Sequence, residues 1–277
     1  MNLIRFFSIL LVALTFAACA SKPKEEVAEK PAIEDQSADE IYGNAQDALT
    51  NRRFVEAANL FNEVERLYPY SNVAEDSQLY AAVSYYKDLR YDEAVIALDR
   101  YIQLYPGSDN LDYAYYLRAL CYYDQITDVR RDQEITKQAL DSLNLLIRRF
   151  PDSEYARDGE YKRDLTLDHL AGKEMEIGRY YLTRGHYQAA IHRFLNVVEN
   201  YQTTTHTPEA LHRLVEAYLA LGIEQEAFRV ALVLGHNYPG SEWYADTYEL
   251  LDPVQRQKML ESRSFVDKTI ESIFRPN

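Results

Sequence analysis

Between residues 39 and 250, apolar and polar positions follow one another at helical spacing, and the pattern recurs along the chain. Aligned on an alanine that opens a helical run, it gives Ala57, Ala94, Ala139, Ala190 and Ala227, spaced 37, 45, 51 and 37 residues apart. Large apolar side chains four positions further on, Phe61, Leu98, Leu143 and Phe194, fall on the same helix face. Twelve residues after the alanines stand Pro69, Pro106, Pro151, Gln202 and Pro239. Each is preceded by an aromatic residue: Tyr68, Tyr105, Phe150, Tyr201 or Tyr238. Two residues past each proline comes a serine, at 71, 108, 153 and 241. Proline cannot continue a helix, so it ends one. The serine can cap the next helix by accepting a backbone N–H.

The helix before each alanine has its own signature. Twelve residues upstream are Ala45, Ala82, Gly178 and Val215, and three residues beyond these are Ala48, Tyr85, Tyr181 and Tyr218. The third unit fits, through Ala119 and Tyr122, if about eight residues from Asp124 to Asp132 are inserted as a polar surface loop. Small residue, Tyr, turn, aromatic, Ala and Pro make up the tetratricopeptide pattern, and Gly178 to Ala190 is its clearest copy. The expected fold is all-α: a tetratricopeptide superhelical solenoid of about five helix pairs, near residues 39–70, 72–106, 109–151, 154–202 and 207–239, with a further helix before residue 252. Residues 154–184 read as one unusually long helical stretch that Gly159 and Gly172 break or bend. Residues 253–275 read as a final helix covering the last repeat, because terminal repeats need a cover.

The N-terminus follows different rules. After Arg5, the run from Phe6 to Phe16 is apolar apart from Ser8 and Thr15. It is shorter than the roughly 20 residues that span a bilayer and suits a cleaved secretory signal over residues 1–18. Ala17, Ala18 and Cys19 then resemble a bacterial lipoprotein box, with Phe16 where Leu is usual. That resemblance implies cleavage before Cys19 and acylation of it. With Ala20 next, it also implies delivery to the outer membrane. Residues 19–38, with Pro23 and Pro31 and no aromatic side chain, read as a flexible tether. Fully extended, such a tether reaches at most roughly 60 Å. If Cys19 is acylated, Cys121 has no disulfide partner and reads as a small buried hydrophobe.

Composition narrows the function. The formal net charge is −14, which argues against nucleic acid as a partner and leaves membrane contact to the lipid. Gly and Pro number only 9 each against 24 Tyr, a profile suited to helices packed through aromatic side chains. No phosphate loop, dinucleotide fingerprint or cysteine cluster is present. The six histidines make no metal-ligand spacing on one helix face. His206, Glu209 and His212 lie close in sequence and read as a solvated helix start. No catalytic residue, metal or cofactor is expected. What remains is surface. A repeat solenoid presents a concave wall lined by the first helix of each pair. Positions three before and four after the small residue should face it: Tyr42 and Leu49, Leu79 and Tyr86, Tyr116 and Tyr123, Met175 and Leu182. Tyr42, Tyr86, Tyr116 and Tyr123 are therefore candidate partner-binding residues for an extended or helical peptide with bulky side chains.

A lipobox, an acidic Pro-containing tether and five tetratricopeptide units together resemble the BamD family, the lipoproteins of the β-barrel assembly machinery. The residues that carry the resemblance are Asp39 to Tyr42, Leu98 to Ile102 with Tyr105 and Pro106, Asn110 to Arg118, and Tyr180 to Gly185. It implies a non-catalytic periplasmic scaffold at the inner leaflet of the outer membrane. Such a scaffold docks to a POTRA domain of BamA through its C-terminal repeats. Other assembly-complex lipoproteins bind elsewhere, and the N-terminal repeats receive unfolded outer-membrane proteins. By the same resemblance, Arg193 in the second helix of the fourth unit contributes to the BamA contact. Gln202 in place of Pro, a short third-unit insert and a long C-terminal tail depart from the family pattern. The competing reading is another tetratricopeptide lipoprotein, an adaptor for cell-wall enzymes or for pilus and secretin assembly.

Overall fold

The computed structural model describes residues 32–129 and 131–258. Among these residues, apart from short 3-10 and turn segments, every regular element is an α-helix, and no strand occurs. The helices pair in chain order: α1 Ala38–Thr50 with α2 Phe54–Leu67, α3 Ala74–Lys87 with α4 Tyr91–Leu104, and α5 Leu111–Tyr123 with α6 Glu134–Arg149. Then come α7 Glu154–Thr183 with α8 Tyr187–Asn200, α9 Thr207–Ala220 with α10 Glu224–Asn237, and finally α11 Glu242–Leu250. Each helix packs on the next. The first helices of successive pairs also touch, α3 on α5, α5 on α7 and α7 on α9. This is the tetratricopeptide solenoid that the sequence predicts, and its first helices form one continuous wall.

The spacing works because small residues sit where helices cross. All five aligned alanines, Ala57, Ala94, Ala139, Ala190 and Ala227, are fully buried, and so are Phe61, Leu98, Leu143 and Phe194 four residues on. The turns inside four pairs each contain one left-handed residue, Arg52, Leu89, Gly185 or Gly222, at φ 60° to 76°. The third pair has the insert instead.

The serines behave less uniformly than the sequence predicts. Ser153 and Ser241 cap α7 and α11 by accepting from Tyr155 N and Trp243 N. In the first two units the helix starts later, after Val73 and Asn110. Ser108 there accepts from Asn110 N within the turn, and Ser71 Oγ is buried without a partner. Two further residues of turn before the helix take the hydroxyl away from the N-terminal amides.

The expected break in the long helix does not occur: α7 is continuous for 30 residues. Its glycines serve close approach. A Cβ on Gly159 would lie 3.0 Å from Leu146 Cδ2 on α6, and one on Gly172 would lie 3.2 Å from His206 Nε2. The insert is only partly a surface loop, because Val129 reaches the same spot beside Gly172. Cys121 is a buried free thiol, as expected, and burial pushes its pKa up to about 12. Cys19 and residues 1–31 lie outside the described residues, as does the C-terminal segment from residue 259. Within residues 32–38, Gln36 is tied to the first repeat: its carbonyl accepts from the Tyr68 hydroxyl at 2.6 Å and its side chain from Asn44. At the other end, α11 packs on α9 and α10 and covers the last repeat. A further helical turn begins at Pro253.

The α9–α11 seam holds a buried histidine. His212 Nδ1 lies 2.8 Å from Thr247 Oγ1, and the Trp243 ring lies 5.3 Å away, tilted by 39°. Burial holds the His212 pKa below its usual value, against the opposing pull of Glu216. Burial depresses His169 in the same direction. The unfolded chain therefore takes up these protons first. Stability is full above the unfolded histidine pKa of about 6.5 and declines as pH falls below it. Thermal unfolding followed from about pH 7 to about pH 5 should show Tm falling, and His212→Gln should flatten the fall. An equal slope in the variant would remove His212 from the account.

Candidate protein-binding site

The first helices bring the predicted tyrosines onto one wall and tie them across repeats. Tyr42 on α1 meets Phe61 edge-on at 5.7 Å and Tyr80 of α3 at 6.5 Å, and its hydroxyl accepts from Gln46. The Tyr86 hydroxyl on α3 donates to Asp124, at the end of α5, at 2.5 Å. The Tyr116 hydroxyl on α5 donates to Asp158 on α7 at 2.6 Å, and its ring stacks on Tyr155. The ring of Tyr123 lies 5.5 Å from the Lys162 ammonium on α7. All four are half-buried.

The electrostatics follow from this geometry. Burial, and donation to a carboxylate, push the Tyr86 and Tyr116 hydroxyls far above the ordinary phenol range, so they remain donors. Lys162 and Tyr116 together hold Asp158 below the usual carboxylate range. The wall is thus aromatic, with fixed carboxylates between the rings.

Two of the positions predicted to face this wall do not. Leu79 joins the core with Ala82, Leu98 and Leu117, and Met175 joins that of Phe194 and Leu214. Both side chains are short enough to turn into the seam with the second helix. A tyrosine at the same register must keep its hydroxyl near a polar partner, which holds it at the wall. The sequence reading also missed three residues. Tyr80, Tyr113 and Tyr155 continue the row: Tyr80 stacks on Phe61 at 5.7 Å, and Tyr113 lies 5.2 Å from Tyr155. The density of tyrosine in the first helices was the available signal.

Arg193 stands apart from this row, on α8. It is half-exposed, and its Nη1 lies 3.1 Å from Glu174 Oε2 on α7. Arg118, within the stretch that carries the family resemblance, pairs with Asp99 at 2.7 Å and lies over the Tyr115 ring. Arg149 covers the same ring from α6.

The group at the start of α9 is not the solvated one predicted. Glu209 is buried and takes two hydrogen bonds from Arg179, at 2.8 and 2.6 Å. Burial opposes its ionisation, but Arg179 and Arg213 outweigh it and hold its pKa low. His206 faces Asp168, and His212 faces Thr247, so the three side chains point to different partners. Among the described residues no group of three or more His, Cys, Asp or Glu is arranged to hold a metal ion, and no helix is long and apolar enough to cross a membrane.

Residues 34–232 match the family model YfiO, described as an outer membrane lipoprotein. The chain is 47% identical over 245 residues to the outer membrane protein assembly factor BamD of Caulobacter vibrioides, covering 88% of this chain and 79% of that protein. It is 40% identical to the same factor from Rickettsia prowazekii, over 92% of this chain and 100% of the relative. Among solved structures, the TPR2AB domain of yeast Sti1 in its Hsp90 complex aligns with a TM-score of 0.40 at 12% identity, covering 85% of this chain and 87% of that one.

Proposed function

The chain belongs to the BamD family of outer-membrane protein assembly factors, and on that premise we propose that it is the family's non-catalytic scaffold, with two separate protein-binding surfaces. The tyrosine wall of the first four repeats takes bulky segments of unfolded outer-membrane proteins. The Arg193 region of the fourth repeat docks to a POTRA domain of BamA, and the other assembly lipoproteins bind elsewhere on the solenoid. Cys19 carries the acyl chains that hold the protein at the periplasmic face of the outer membrane, at about 0.8 kcal/mol per buried methylene. Residues 1–18 are the signal, and the chain from Cys19 up to the turn at Ile33–Asp35 is the tether, shorter than the 19–38 read from the sequence because Gln36 and Ser37 already belong to the first repeat.

The observation that supports this reading best is the row Tyr42, Tyr80, Tyr113, Tyr155 and Tyr116, which crosses four first helices with half-exposed rings. Such rings offer large contact area at low entropic cost, and their neighbouring carboxylates add direction.

Site-specific photocrosslinking in intact cells tests both surfaces. A crosslinker at Tyr86 should capture unfolded barrel proteins, and one at Arg193 should capture BamA. Recovery of cell-wall hydrolases or secretins instead would favour the adaptor reading and defeat this one. Tyr86→Ala and Tyr116→Ala should each reduce substrate capture several-fold. Each also removes a hydrogen bond to a carboxylate, worth about 1–3 kcal/mol in general and near the lower end at this exposure. Far-UV circular dichroism should therefore stay native. If helicity collapses in both variants, these tyrosines are core residues and not a binding surface. Cys19→Ala should release the protein from membranes and abolish palmitate labelling.

A further inference from the structure

We propose that Glu174 is a positioning residue for Arg193, holding the guanidinium so that one edge stays open to a partner carboxylate; the inference rests on the docking role given above. Glu174 lies on α7 between Ala171, Met175 and Gly178, all buried against α8 and its neighbours. Its carboxylate is therefore carried by a helix face packed directly against α8. Both oxygens face the same nitrogen, Arg193 Nη1, at 3.1 and 3.4 Å. A guanidinium presents its N–H groups as a rigid fork. With Nη1 engaged, the edge formed by Nε and Nη2 keeps the parallel N–H pair that grips a carboxylate at two points. Exposure shows the same division of labour. The Glu174 side chain is 17% exposed, and that of Arg193 is 39% exposed. The anion is the fixed partner, and the cation is presented.

The alternative physical role has the opposite sign. If Glu174 merely competed for Arg193, its removal would free the guanidinium and tighten docking. Positioning instead spares the complex the cost of ordering a long side chain, and removal weakens docking.

The test uses the full-length lipoprotein in detergent, purified BamA as the probe, and thermal unfolding alongside each binding titration. Glu174→Ala should raise Kd by about three- to tenfold, the range expected for one rotamer-rich side chain left unordered. Glu174→Asp, which keeps the charge on a shorter arm, should recover most of that loss. In the Arg193→Ala background, Glu174→Ala should change Kd no further, a non-additivity that general destabilisation does not produce. Unchanged or tighter binding by Glu174→Ala overturns the positioning role while leaving the docking role intact. Unchanged binding by Arg193→Ala overturns both.

Discussion

Gly178→Ala should destabilise the protein by about 2 kcal/mol and lower Tm by roughly 4–8 °C. A Cβ at Gly178 would sit 2.4 Å from Phe194 Cε1 and 2.8 Å from Cδ1 and Cζ. Phe194 is fully buried among Met175, Ile191, Val197, Ala210 and Leu214, so the ring has nowhere to go without displacing them. Overfilling a packed core costs roughly 1–3 kcal/mol. The better helix propensity of alanine returns up to about 1 kcal/mol, which keeps the net figure in that range. The same substitution at Gly43, where no atom lies within 4 Å of the new Cβ, should have the opposite sign and stabilise by about 0.5–1 kcal/mol. Chemical denaturation of the two single variants decides the matter. Phe194→Leu should soften the Gly178→Ala penalty, with a coupling of roughly 0.5–3 kcal/mol in the double-mutant cycle. Strict additivity would mean that the ring is not what the glycine accommodates.

Arg193→Glu should cost the BamA contact about 3 kcal/mol, roughly a hundredfold in affinity, and BamA should no longer co-purify from solubilised membranes. The substitution acts twice. It sets a repelling charge against the carboxylate of the partner, and it turns the 3.1 Å pair with Glu174 into two like charges. The second effect falls at a half-exposed position and should cost the fold no more than about 1 kcal/mol. Arg193→Gln separates the two: it removes the attraction without the repulsion and should lose less. Normal recovery of BamA with Arg193→Glu would end the docking role assigned to this residue.

The helix pairs were legible because each depends on a local signal. A proline that follows a helical run ends it whatever packs against it, and an alanine at a crossing is needed whatever its neighbour. The tyrosines at 42, 86, 116 and 123 were legible because they stand three before or four after the small position, on one helix face. Features that depend on a second helix were not. Gly159 and Gly172 read as breaks because a glycine in isolation weakens a helix, and only Leu146 and His206 opposite them explain their presence. Leu79 and Met175 share the register of Tyr116 and still turn inward, since nothing in their chemistry holds them at the surface. Tyr155 lies in the first turn of α7, before the aligned repeat signature begins, so its place beside Tyr116 came only from the fold. Glu209 read as a solvated end because its partner Arg179 lies 30 residues upstream.

The unbroken α7 has a mechanical consequence. At about 1.5 Å per residue it is a single rod about 45 Å long. Asp158 near one end holds Tyr116 of the third repeat, and Glu174 towards the other holds Arg193 of the fourth. A torque applied at Arg193 would be delivered to the aromatic row as a lever delivers it, without being spent in a joint between.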